Sequence, residues 1–428
     1  MRNAIMKKRI ASLAAAAIVS ASCTLSVSAA PFTAVLPSVQ LTASAAENSV
    51  KFITANGYAE GAYVMWSPVS GADGYNVYAD GVQLDPMLIR QYSGYMRADA
   101  VGLTSGRHTL KVVPVIGGSE DNSKSAETDV TSYANERSGF AYVSGSSNGA
   151  YNSDGTLKSN AVVVYVTNSN KDSVSAKIDA TGKGAENITG FQNIITAYKK
   201  GKESRPLNIR IIGNITDPSV LTKGDIVVDT VTAGLTIEGI GNDATLNGFG
   251  LVLKNCSNVE IRNLGFMNCN SSEGDNCGLQ QNNNHVWVHN CDFFYGDAGS
   301  DADQAKGDGA LDTKTSTFIT HSYNHFWDSG KCNLQGMKSE TAENYITYHH
   351  NWYDHSDSRH PRIRTCSVHC YNNYFDGNSK YGIGVTMGAS CFAESNYFRN
   401  CKYPMLISEQ GSDAATGGTF SGESGGII

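Results

Sequence analysis

Charge is scarce in this chain. Only 17% of its 428 residues are Asp, Glu, Lys or Arg, and acids outnumber bases to leave a net charge of −7. So little positive charge argues against nucleic acid or an anionic membrane as a partner. Cysteine is missing between Cys23 and Cys256, and the nine from Cys256 to Cys401 show no zinc-knuckle spacing. An odd number cannot pair completely. Buried free thiols, which pack as small hydrophobes, are expected over a disulfide network. Past the N-terminus no apolar run reaches the roughly 20 residues of a bilayer span, so no membrane attachment is expected.

What is present points outside the cell. Arg2, Lys7, Lys8 and Arg9 precede a short apolar stretch from Ile10 to Val19, and Val27-Ser28-Ala29 offers a small-residue cleavage position. Residues 1–29 therefore read as a signal peptide, and the protein as secreted and extracellular. Abundant Gly (44) and Tyr (21) suit a turn-rich β protein.

Three regions follow. In residues 47–130, Val64-Met-Trp66 leads through a Gly-containing turn to Tyr75-Asn-Val77-Tyr78, and Leu110, Val112 and Val115 mark a later strand. With the Gly102-Leu103-Thr-Ser-Gly106 turn, these residues resemble a fibronectin type III domain, a small β-sandwich that would serve as spacer or binding module. Residues 131–160 read as a linker, since the stretch from 117 to 150 is rich in Ser, Gly, Asn and Asp. Residues 161–428 form the largest region. It opens with Val162-Val-Val-Tyr-Val166 and one amphipathic helix from Ile188 to Lys200, suited to cap an open sheet end.

Within that region an Asn or Asp is followed two positions later by an aromatic at Asp292/Phe294, Asn324/Phe326, Asn351/Tyr353, Asn373/Phe375 and Asn396/Phe398. Each pair follows a short alternating strand, and the period is near 22 residues with insertions. That is the mark of a solenoid. The leucine skeleton of leucine-rich repeats is missing, and stacked Asn and aromatic residues suit a right-handed parallel β-helix. The fold class expected is all-β: this β-helix preceded by the small sandwich. The longest intervals flank the segment from Asp308 to Lys331, where inserted loops should gather the site.

Two clusters carry the chemistry. Glu273, Asp275, Asp308 and Asp312 bring four carboxylates to neighbouring coils, and Asp308 and Asp312 share a face if extended. An all-oxygen set favours a hard cation, calcium outside the cell; the alternative is a group of solvated turn acids. Lys331, Arg359, Arg362 and Arg364 form the second cluster, either a polyanion-binding patch or a charged surface strand. Nine histidines lie between His285 and His369, but zinc would need three convergent imidazoles. Ladder or cleft roles are expected for them instead.

The runs Val286-Trp-Val-His289-Asn-Cys-Asp292, Asp308-Gly-Ala-Leu-Asp312-x-Lys314, Ile319-Thr-His-Ser322-Tyr-Asn324, Ile346-Thr-Tyr-His349-His350-Asn351 and Arg359-x-Pro361-Arg362-x-Arg364 resemble the extracellular pectate lyases of the first polysaccharide-lyase family over residues 185–428. The resemblance implies a calcium-dependent enzyme, acting as a monomer, that cleaves de-esterified polygalacturonate by β-elimination. It implies Asp308, Asp312, Asp275 and Glu273 as calcium ligands, Lys331 and Arg364 as substrate binders, and Arg359 as catalytic base. Many members read Trp-x-Asp-His where this chain has Trp287-Val-His289-Asn290. A hydrolytic or non-catalytic β-helix that binds pectin is the competing reading.

Overall fold

The computed structural model describes residues 47–218, 221, 223–294, 309–337, 340, 344–408 and 426–428. The expected signal peptide lies outside them. The chain divides into two compact units.

The smaller unit holds residues 47–136 and 151–158. One antiparallel sheet joins Phe52–Tyr58, Gly61–Trp66, Tyr95–Val101 and Ile89–Tyr92; a second is built on Gly74–Ala79 and Gly106–Ile116. Alternation sends Val64, Trp66, Ala98, Ala100, Val77, Leu110 and Val112 into a shared core. Trp66 is fully buried and meets Tyr75 edge-on at 5.1 Å.

The larger unit is a stack of parallel coils. One row of strands runs through Ser257–Arg262, Asn284–His289, Thr317–Ser322, Ile346–His349, Ser367–Tyr371 and Ser390–Glu394. A second runs through Gly265–Met267, Asp292–Phe294, His325–Trp327, Trp352–Asp354, Tyr374–Asp376 and Tyr397–Arg399. The long strand Leu235–Asn247 belongs to both rows. The third sheet has eight strands: Asp225–Asp229, Gly250–Lys254, Asp275–Gln281, Gly309–Thr313, Leu334–Gln335, Arg362–Arg364, Ile383–Thr386 and Met405–Ser408. The architecture is therefore the parallel β-helix expected from the repeat.

Single residues with left-handed backbone turn the corner between the first two rows: Asn263, Asn290, Tyr323, His350, Asn372 and Ser395, with φ of 52–55°. Asn tolerates that conformation best, so the bulky Tyr323 and His350 show that packing imposes it. Just beyond each corner runs the asparagine ladder. Asn351 Nδ2 donates to Asn373 Oδ1 at 3.0 Å, Asn324 Nδ2 to Asn351 Oδ1 at 3.1 Å, and Asn373 Nδ2 to Asn396 Oδ1 at 3.0 Å. Alongside it Phe266, Phe293, Phe326, Tyr353, Phe375 and Phe398 stack at 4.3–5.0 Å.

The first pair of the repeat needs correction. Asp292 pairs with His325 in register, and Phe294 with Trp327. Cys291, whose N–H donates to Asn324 Oδ1, stands at the ladder position, and Phe293 carries the ring. Two aromatics in succession hid the one-residue offset. Across the described residues all nine cysteines are free, and eight are buried, as expected of packing thiols.

The helix is shorter than the periodicity suggested: α-helix covers Phe191–Ala197 and a 3₁₀ turn Tyr198–Lys200. It caps the open end of the eight-stranded sheet. The Gln192 amide donates to Val227 O at 2.9 Å and accepts from Val227 N at 2.8 Å, standing in for a missing neighbour strand.

Residues 137–150, inside the segment expected as a linker, run along the outer face of the first row. Thr236, Glu260, Trp287, Thr320 and Thr347 align there in register. Ala150 N donates to Thr236 Oγ1 at 2.9 Å, Ala141 N to Thr320 Oγ1 at 3.0 Å, and Phe140 N to Thr347 Oγ1 at 3.1 Å. Gly139 and Gly149, at φ 86° and 56°, permit the approach: an added Cβ would meet a threonine Oγ1 at 2.5 and 2.3 Å. Beneath this strap His289 stacks on Trp287 at 3.5 Å and lies 3.2 Å from Glu260. The altered Trp-Val-His-Asn run thus feeds a buried ion-pair chain that continues through Arg262, Glu238 and Arg210.

Candidate active site

Every expected site residue that is described lies in or beside the eight-stranded sheet. Asp275 opens the strand Asp275–Gln281 and pairs with Gly309 on the next coil, while Gly278 pairs with Asp312. Both carboxylates are 1% exposed. A Cβ added to Gly309 would lie 2.4 Å from Asp312 Oδ1 and 2.9 Å from Asp275 Oδ1, so the two groups close on one point where only glycine fits. Asp312 Oδ1 also accepts from Leu334 N at 2.9 Å, which fixes its orientation. Glu273 is exposed, and its Oε2 accepts from Gln280 at 2.9 Å. Asp308 lies outside the described residues.

Lys314 ends the run that begins at Asp308, and the sequence alone assigns it no role. Its Nζ stands 3.5 Å from Asp275 Oδ2 and 3.8 Å from Asp312 Oδ2. Burial works against the ammonium, yet Asp312 and Asp275 outweigh it and hold Lys314 above the usual lysine range. The alternation Asp312-x-Lys314 was the available signal; the distance to Asp275 depends on coil register. Asp225 was also missed. It is buried on the edge strand, and desolvation, with Glu273 adding negative charge nearby, lifts its carboxyl to about 6.

The basic cluster lies further along the same sheet. Lys331 is half-buried and bridges Ser358 through the backbone. Arg359 is half-buried with φ 64°, and its carbonyl accepts from Asn333 N at 2.7 Å. Arg362 is buried and registers with Leu334, the residue bonded to Asp312. Arg364 pairs with Thr386; burial, with Arg362 and Arg359 alongside, draws it down to about 10. Three guanidinium groups therefore share one field, the condition under which like charges favour losing a proton.

The coil interior holds these strands in place. Tyr353 Oη donates to Asn333 Oδ1 at 3.0 Å, and Asn333 Nδ2 to Leu311 O at 2.9 Å. Thr313 Oγ1 lies 2.9 Å from His321 Nε2, and burial drives His321 down to about 3. Buried hydrogen-bonded pairs such as Tyr353–Asn333 are rigid, so the outward residues start from a fixed base.

The carboxylate set suits calcium by its chemistry. Its donors are all oxygen, with no thiol or imidazole among them. The Lys314 ammonium beside Asp275 and Asp312 shows that this spot accepts positive charge.

Fold and site together define a class: a parallel β-helix that carries buried carboxylates and an arginine cluster along one sheet. A family model described as pectate lyase matches residues 121–422, and the chain belongs to that family. It is similar to a pectate trisaccharide-lyase from Bacillus licheniformis, 32% identical over 232 residues that make up 53% of this chain and 66% of that protein. Pectate lyase B from Dickeya chrysanthemi is 32% identical over 251 residues, 56% of this chain and 64% of that one. The chain thus spans just under two thirds of the length of these relatives. Among solved structures, pectate lyase Bsp165PelA from Bacillus sp. N165, in complex with trigalacturonate, matches with a TM-score of 0.52 at 25% identity. That match covers 68% of this chain and 86% of the other.

Proposed function

We propose that this chain is a secreted, calcium-dependent pectate lyase, acting as a monomer, that cleaves de-esterified (1→4)-α-D-galacturonan by β-elimination to leave 4,5-unsaturated ends. One observation carries the reading: the buried Asp275–Asp312 pair and the Arg359–Arg362–Arg364 cluster lie along one sheet. Family membership and the trigalacturonate bound to the solved relative support the substrate class.

The galacturonate C5 proton lies α to a carboxylate, so its removal drives negative charge onto that group; that electron pair then forms the C4=C5 double bond as the C4–O bond breaks and the leaving oxygen takes a proton from water. Arg359 is the proposed base. Arginine normally stays protonated well above neutral pH, so this role calls for alkaline conditions. Lys331 and Arg364 are proposed to hold the substrate carboxylate and stabilise its developing charge. Asp275 and Asp312, with Glu273 and Asp308, are the proposed calcium ligands. Calcium, when bound, would supply positive charge that offsets the charge building on the substrate acid. The small unit is proposed to be of the fibronectin type III kind, a spacer or binding module.

The test is ultraviolet absorbance during incubation with polygalacturonate, because the eliminated product is conjugated and the substrate is not. A rise that chelator stops and added calcium restores is expected. A hydrolase would release reducing ends without that absorbance, and a binding protein would give neither signal.

A further inference from the structure

We propose that Lys314 is an internal counter-ion: its ammonium fills the Asp275–Asp312 pair when calcium is absent and must leave before calcium binds, so this lysine sets the calcium level at which the site loads. The inference rests on the calcium reading above and goes beyond it, since it concerns the unloaded state.

Two carboxylates, each 1% exposed, converge on the single backbone point at Gly309. Like charges gathered away from water are unstable without compensation. Lys314 follows Asp312 by two residues, and strand alternation sends both side chains to the same side. Its N–H, bonded to Leu279 O at 2.8 Å, anchors the base of the side chain. The ammonium then reaches both acids, at 3.5 and 3.8 Å.

Those distances are long for charged hydrogen bonds, which settle near 2.7–2.9 Å, so the ammonium is held mainly by charge. Lysine carries a compact, strongly hydrated charge on a flexible stem, and this side chain is 22% exposed. It has an outlet to water. A divalent ion between the same oxygens would repel the ammonium, so the two cations exclude each other. Apparent affinity is then the intrinsic affinity reduced by the fraction of molecules whose pair is vacant.

Calcium chloride titrated calorimetrically into the chelator-stripped full chain tests this, together with thermal melts in chelator and in calcium. Lys314→Met, close in length but uncharged, should bind calcium about tenfold tighter, the factor expected if the lysine fills roughly nine-tenths of the sites. It should also melt lower than wild type in chelator and recover in calcium. Lys314→Arg keeps a cation and fits carboxylates in bidentate fashion; it should bind calcium several-fold more weakly than wild type, and it keeps the test open if the Met variant fails to fold. Should wild type bind calcium while the Met variant binds no tighter, or the Arg variant no weaker, the counter-ion role is overturned and the calcium reading stands. If none of the three takes up calcium, both fall.

Discussion

Arg359 is the residue on which the proposed chemistry turns. Removing a general base lowers rate by about 10²–10⁴-fold, so Arg359→Ala should lose that much in kcat while binding of oligogalacturonate changes only a few-fold. In wild type kcat should rise with pH through the alkaline range, since the base must first lose a proton beside Arg364, itself drawn to about 10 by burial and then by the neighbouring guanidinium charges. Steady-state kinetics across pH would show it; turnover that survives in the Ala variant assigns the base elsewhere. The sequence disclosed these residues unevenly. Asp312, Arg362 and Arg364 were readable from composition and alternation, because each stands in a short run of unusual charge. Lys314 and Asp225 were not, because their meaning comes from coil register that brings distant strands side by side.

Among the elements, the asparagine ladder is the most exposed to a single change. Asn351 accepts from Asn324 N and Nδ2, both at 3.1 Å, and donates to His321 O at 2.9 Å and Asn373 Oδ1 at 3.0 Å. Asn351→Ala would strand several of these partners in the interior, at about 1–3 kcal/mol for each buried group left unsatisfied. A loss of about 3 kcal/mol or more is expected in chemical denaturation; a loss under 1 kcal/mol would mean that water replaces the side chain. The ladder was legible because stacking forces the same residue type to recur. Its first rung was misread because Cys291 takes the asparagine position, and Phe293 and Phe294 offer two rings for one slot. The helix was read too long for a related reason: periodicity continues through Tyr198, which is buried, although the backbone has already tightened to 3₁₀.

For the molecule as a whole, pH acts through imidazoles sealed in the coil interior. His321 and His360 are fully buried, and desolvation pulls both to about 3 from the ordinary 6.5; burial, and then His350, likewise holds His349 well below it. Below 6.5 the unfolded chain takes up protons that the folded chain refuses, so stability falls as pH falls toward 3, by about 1.4 kcal/mol per pH unit for each histidine. Asp225, raised to about 6, gains its proton in the folded state over the upper part of this window and offsets about one of them. His325 is shifted upward, so it is charged in both states below 6.5 and adds no slope there. Melting temperature should therefore drop between pH 6.5 and 5, before ordinary carboxylates titrate. His360→Asn should flatten that drop; an unchanged slope would show that His360 is not its source.

A stack of coils behaves as a one-dimensional array, in which each repeat feels only its neighbours and ends can melt independently. The strap at 137–150 alters that rule for the middle of the array. By bonding to Thr236, Thr320 and Thr347 it ties the Thr236 strand to the adjacent Thr320 and Thr347 strands, from which the strands of Glu260 and Trp287 separate it. Loosening any of them costs the contacts of all, and amide exchange across these strands should report one cooperative block, where an unsplinted solenoid would show a gradient. Rigidity along the axis is thereby written into a stretch of chain that contributes no coil of its own.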